Sequence, residues 1–89
     1  MFLHSVSYDL LAPGRDYQTL YNRLAALGAR RVLYSQWMLK STMTAAQLRD
    51  DLKMYVDLND RLFVINTTDG SMAWASSLMT DIKVAFSLT

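Results

Sequence analysis

Tyr8-Asp9-Leu10 places a single carboxylate at the end of an apolar N-terminal run, immediately before the loop Leu11-Ala12-Pro13-Gly14-Arg15-Asp16. An acid delivered to the end of a strand, where the backbone leaves the sheet, is a geometry from which metal sites are built. One acid is too few for a metal. Each chain therefore offers half a site, and Asp9 gains chemistry when a second copy sets its own Asp9 opposite. The structural alternative is that Asp9 accepts backbone N–H groups of the next turn, the commoner role of an Asp at a strand end. Arg30-Arg31, with Trp37 just beyond, can hold a phosphate and stack a base. Equally, Arg31 can pair with an Asp of a partner copy while Trp37 anchors a symmetric interface. His4 has no second His to work with, and its strand position points to a buried, hydrogen-bonded imidazole. Asp50-Asp51 with Arg49 and Lys53 reads as the solvated face of a helix. The sequence carries no phosphate-binding Gly-rich loop, no His/Cys ligand cluster, no nucleophile triad and no evident general base.

The elements that must position these residues follow from periodicity. Phe2, His4, Val6 and Tyr8 alternate with Leu3, Ser5, Ser7 and Asp9, which predicts a strand with the first set on its core face. Asp16 can cap a helix whose Tyr17, Leu20, Tyr21, Leu24 and Leu27 follow helical spacing, with Gly28 as its stop. Arg30 to Lys40 separates Val32, Tyr34, Gln36 and Met38 from Arg31, Leu33, Ser35, Trp37 and Leu39, as one bent strand or as two joined near Ser35. Thr44 and Gln47 have capping-box spacing, and Met43 with Leu48 that of a hydrophobic staple, so a second helix follows and buries Leu48, Leu52, Tyr55 and Val56. Asn59-Asp60 breaks it. Leu62-Phe63-Val64-Ile65 is an all-apolar run suited to a strand in mid-sheet. Beyond Asp69-Gly70, Ser71 to Met79 forms a helical turn or a loop carrying Trp74, and the alternation of Ile82, Val84, Phe86 and Leu88 predicts a terminal strand. The order β-α-β-β-α-β plus one strand predicts a single α+β domain over residues 1–89. It is a ferredoxin-like sandwich with its core in 1–68 and a C-terminal extension in 69–89.

Composition bounds the rest. A chain of 89 residues buries only roughly 60–65% of its unfolded surface, leaving a thin core. Apolar residues make up 52% and charged residues 19% of the sequence, against a usual ~25% charged. That apolar load predicts a homodimer. The net charge is +1 and all eight acids are Asp, so a nucleic-acid role must rest on a local patch. The absence of cysteine excludes a disulfide framework, a thiolate zinc site and a cysteine nucleophile, and is compatible with a reducing cytoplasm. Residues 1–6 lack a basic leader region and no apolar run approaches the ~20 residues needed to span a bilayer, so a soluble, cytoplasmic protein with no membrane partner is expected.

Tyr8-Asp9, then Arg31-Val32-Leu33-Tyr34-Ser35-Gln36-Trp37 before a Thr-capped helix, resembles the small CRISPR-associated "Cas-two" endoribonucleases and their VapD-like toxin relatives. More closely, Tyr8-Asp9-Leu10, Pro13-Gly14-Arg15-Asp16-Tyr17, Leu27-Gly28-Ala29, Trp37-Met38-Leu39-Lys40, Leu48-Arg49-Asp50 and Asn59-Asp60-Arg61-Leu62-Phe63-Val64 resemble small bacterial and phage proteins called SinR-like, over about residues 4 to 66. The resemblance implies a ferredoxin-like homodimer in which the two Asp9 residues face each other across a two-fold axis and share a magnesium ion. It makes Asp9 and Tyr8 the catalytic candidates, and Arg31, Ser35 and Trp37 match the family's nucleic-acid-binding positions. Family members often carry several basic residues in the loop after the aspartate, where this chain offers Arg15 alone. The resemblance also supports exchange of the terminal strand between protomers. The SinR-like proteins generally lie outside CRISPR loci, so a role in spacer acquisition does not follow from the resemblance. Two functions are compatible with these residues: a magnesium-dependent phosphodiesterase acting on RNA or DNA, and a non-catalytic dimeric module that binds a protein or nucleic-acid partner.

Overall fold

The computed structural model describes residues 1–11, 16–70 and 73. Strand β1 (Phe2–Asp9) lies between two antiparallel neighbours, β3 (Gln36–Ser41) and β4 (Arg61–Asn66), and the short β2 (Arg30–Leu33) pairs with the far side of β3. The sheet order is β2-β3-β1-β4. With helices α1 (Gln18–Ala26) and α2 (Ala45–Leu52), the chain forms an α+β domain of one four-stranded antiparallel sheet and two helices, compatible with the expected ferredoxin-like arrangement. No helix among the described residues is long and apolar enough to cross a membrane. Arg15, the expected turn or loop around Trp74 and the expected strand over 82–88 lie outside the described residues.

The core forms where the sequence periods meet. His4, Val6 and Tyr8 of β1 and Trp37 and Leu39 of β3 are buried, and against this face Leu20, Leu24, Leu48 and Leu52 are fully excluded from solvent. Each such leucine contributes about 1.5–3 kcal/mol of transfer free energy. Phe2, expected on the same face, is more exposed at the start of its strand. His4 donates from Nε2 to the Met43 carbonyl at 2.8 Å, which fixes its tautomer, while Nδ1 is buried with no partner.

The helix ends obey local chemistry. The Asp16 carboxylate accepts the Gln18 N–H at 2.9 Å. Gly28, at φ +83°, closes α1 with paired bonds from Gly28 N–H to Ala25 O and from Ala29 N–H to Leu24 O, both 3.0 Å. At α2 the reciprocal Thr44–Gln47 box is complete, at 3.1 and 2.9 Å. A short 3-10 turn, Lys53–Tyr55, extends α2.

Three expectations are resolved or corrected. Arg30 to Lys40 is two strands, with Tyr34 and Ser35 in the turn between them. Asp51 is not on a merely solvated face: Arg23 of α1 grips it with two hydrogen bonds, of 2.8 and 2.6 Å, tying the helices together. Asp50 is the surface member, paired with Arg49 and Lys53 at 2.9 and 3.5 Å. Finally, β4 lies at an edge of the described sheet rather than in its middle. Its Leu62 and Val64 pack on the core, whereas Phe63 and Ile65 point to the opposite face and stay exposed. An all-apolar run marks a strand that covers two apolar surfaces, and here the described residues supply one.

Candidate functional site

Because side chains alternate along β1, Tyr8 and Asp9 point to opposite faces of the sheet. Tyr8 turns inward. Its hydroxyl accepts the Trp37 Nε1–H at 2.9 Å, a buried bond, and the Arg31 Nη2–H at 3.2 Å. The Tyr21 ring lies stacked 6.2 Å from Trp37 at 18° and 6.3 Å from Tyr8. Over this block sits the Arg31 guanidinium, 4.8 Å from the Tyr21 centroid, 5.3 Å from Trp37 and 5.2 Å from Tyr34. Its Nε–H also donates to the Tyr34 carbonyl at 3.0 Å. Arg31 is thus a cation fixed in place by aromatic faces, each such contact contributing about 0.5–1 kcal/mol at an exposed site.

Asp9 turns outward at the strand end. It is exposed, and its carboxylate has no hydrogen-bond or ion-pair partner among the described residues. Directly across the strand pair stands Arg61, on the same face. The turn at Tyr34-Ser35 is attached beside it, since Ser35 O accepts the Tyr8 N–H at 3.1 Å. Two shallow depressions flank Asp9, and Tyr8, Asp9 and Ser35 border both. One, of about 330 Å³, is closed by Arg61 and Phe63. The other, of about 350 Å³, is walled by Tyr17, Tyr21 and Tyr34.

The structure therefore gathers Tyr8, Asp9, Arg31, Ser35 and Trp37 at one end of the sheet, with unequal access. Trp37 is 8% and Tyr8 6% exposed. These two support the site from within, and Tyr34 and Phe63 are exposed aromatic rings at this end. Arg15 lies outside the described residues. Among the described residues there is no group of three or more His, Cys, Asp or Glu side chains placed to hold a metal ion.

Two residues escape sequence reasoning. Arg61 becomes a neighbour of Asp9 only through the β1–β4 register. Asp60 is a hydrogen-bond hub whose carboxylate accepts the Leu11 N–H at 2.7 Å, the Tyr17 hydroxyl at 2.8 Å and the Asp57 N–H at 2.7 Å. It fixes both flanks of the loop that follows Asp9. The turn-binding task open to Asp9 is thus performed by Asp60, from a position whose partner Leu11 is 49 residues away in sequence. No signal of adjacent residues reveals such a pairing. Resolved shifts in acidity fall on the helices: the Arg23 hydrogen bonds hold the Asp51 carboxyl below the usual carboxylate range, and Arg49 does the same for Asp50. Compared with models of known protein families, the chain matches none.

Proposed function

We propose that the protein is a homodimeric, metal-dependent nuclease of the Cas-two or VapD-like type, acting on RNA or DNA in the cytoplasm from a ferredoxin-like domain with an added C-terminal strand. The observation that carries this reading is the division of labour between two aspartates. Asp60 is saturated with loop hydrogen bonds, whereas Asp9, at the end of the central strand, is exposed and engages no described partner. A carboxylate that engages no other described residue is available for a ligand.

One carboxylate per chain suits magnesium only as half of a shared site, completed by water and the Asp9 of a second copy. When bound, the ion would lower the pKa of a water and steady the phosphoryl transition state. The chain's own cations do the holding: Arg31, positioned by Tyr8 and the rings around it, and Arg61 across from Asp9 serve a phosphate, Arg15 is the one basic residue of the sequence segment that follows Asp9, and Ser35 offers a hydroxyl. Trp37 acts through Tyr8 and Tyr21 rather than on a base. The competing reading, a non-catalytic interaction module, is favoured by the exposed Phe63 and Ile65 on the sheet face away from the helices.

Purified protein incubated with single-stranded and duplex RNA and DNA, with magnesium or manganese, tests the proposal. Cleavage that disappears in Asp9→Asn while sedimentation still reports a dimer is the expected result. A stable monomer at micromolar concentration, no cleavage by the wild type, or undiminished cleavage by Asp9→Asn would reject it.

A further inference from the structure

Tyr34 is 89% exposed, the opposite extreme from its neighbours Tyr8 and Trp37. Nothing in the core requires an aromatic ring there. Yet its backbone is held closely: Tyr34 O is bound by Arg31 Nε–H, Ser35 O by Tyr8 N–H, and the next side chain, Gln36, donates from Nε2 to Ser5 Oγ at 2.7 Å. The Arg31 guanidinium lies over the ring at 5.2 Å, which occupies one face and leaves the other to solvent. The ring also walls the same depression as Asp9 and Ser35.

We infer that Tyr34 is a platform on which an unpaired base stacks, with the adjoining phosphate drawn to Arg31. The inference rests on the nucleic-acid reading of the site and adds the residue that selects the strand. Every base has a π-face, so stacking on tyrosine is tolerant of sequence. Within a duplex both faces of each base are covered by its neighbours, and the platform has nothing to receive. A ring held at a rigid turn loses little freedom when a base settles on it.

Fluorescence anisotropy with single-stranded oligouridine RNA, single-stranded oligothymidine DNA and a blunt RNA duplex tests this in the Asp9→Asn background, where binding is read apart from cleavage. Tyr34→Ala is expected to weaken binding of both single strands by about tenfold or more, Tyr34→Phe to restore it, and duplex binding to stay unchanged. Undiminished single-strand binding by Tyr34→Ala, an equal loss on the duplex, or a loss confined to RNA or to DNA would overturn the role of Tyr34 and leave the nucleic-acid reading intact. A change in sedimentation caused by Tyr34→Ala would instead make the ring a contact between copies and also overturn it. If neither the parent nor the variant binds any of the three oligonucleotides, the nucleic-acid reading itself fails.

Discussion

Tyr8→Phe separates a structural from a chemical role for the residue beside Asp9. The substitution keeps the ring and its packing against Tyr21, so almost no cavity opens. It removes the oxygen that accepts the Trp37 Nε1–H in a buried bond of 2.9 Å and the Arg31 Nη2–H at 3.2 Å. Arg31 is exposed, so water can replace the lost acceptor at its Nη2–H, but the buried indole N–H has no such recourse. A buried donor left without an acceptor costs about 1–3 kcal/mol. Taking about 2 kcal/mol, and about 4–8 °C per kcal/mol for a domain of this size, Tm should fall by about 8–16 °C. Thermal unfolding followed by circular dichroism measures it. The double variant Tyr8→Phe, Trp37→Phe should lose less than the sum of the single losses, because it removes donor and acceptor together. A Tm within about 2 °C of wild type for Tyr8→Phe would show that the bond contributes nothing net, and strictly additive losses would show that the two side chains do not communicate. Either would refute the account of Tyr8 as the keystone of the aromatic block. If cleavage is found, Tyr8→Phe assayed well below its Tm should retain most of the rate. Loss of all activity in a folded variant would return Tyr8 to the chemistry.

Two further outcomes follow. The Arg23 hydrogen bonds hold the Asp51 carboxyl below the usual carboxylate range, so the native state binds fewer protons than the unfolded chain, and the contribution is present above the ordinary carboxylate range and lost as pH falls through the depressed native value. Asp51→Asn should therefore lower Tm near neutral pH and cost progressively less as the pH is lowered below the ordinary carboxylate range; a destabilisation that does not shrink with falling pH would mean that packing, not charge, couples the helices. Deleting residues 81–89 should raise the dimer dissociation constant, because the alternation of Ile82, Val84, Phe86 and Leu88 needs an apolar sheet surface and an edge to pair with; an unchanged constant in sedimentation would count against strand exchange.

What the sequence made legible is what local chemistry decides. The Thr44–Gln47 box, the Gly28 stop and the leucines of both helices are short-range patterns, and each took its expected place. The split of Arg30 to Lys40 into two strands remained open because alternation continues through Ser35 whether or not the backbone turns there. The pairings of Arg23 with Asp51, Arg61 with Asp9 and Asp60 with Leu11 were hidden, since each depends on the register or docking of elements far apart in sequence. The edge position of β4 among the described strands is the same kind of quantity. Composition identifies a strand, but only topology says who stands beside it. At the site, residue types were readable and access was not: the sequence points to Trp37 as the ring that receives a base, whereas burial encloses Trp37 and leaves Tyr34 exposed.

The charges at this end of the sheet explain why a divalent cation belongs in the proposed mechanism before any bond is broken. A phosphate brought within about 5 Å of a bare carboxylate meets a repulsion of about 1 kcal/mol in water and about 3 kcal/mol at the effective dielectric of a protein surface. Two facing Asp9 carboxylates double it. Arg31 and Arg61 supply attraction of the same order, but Arg31 is engaged by three aromatic rings and the Tyr8 hydroxyl, on the side of the sheet opposite Asp9. With a whole-chain charge of only +1, no long-range field makes up the difference. In the proposed mechanism, the metal-free site would gain little from a phosphate backbone. The two Asp9 carboxylates would hold a divalent ion whose charge offsets theirs and would leave the arginines unopposed, so on this reading the ion would create the binding site as well as the reactive one.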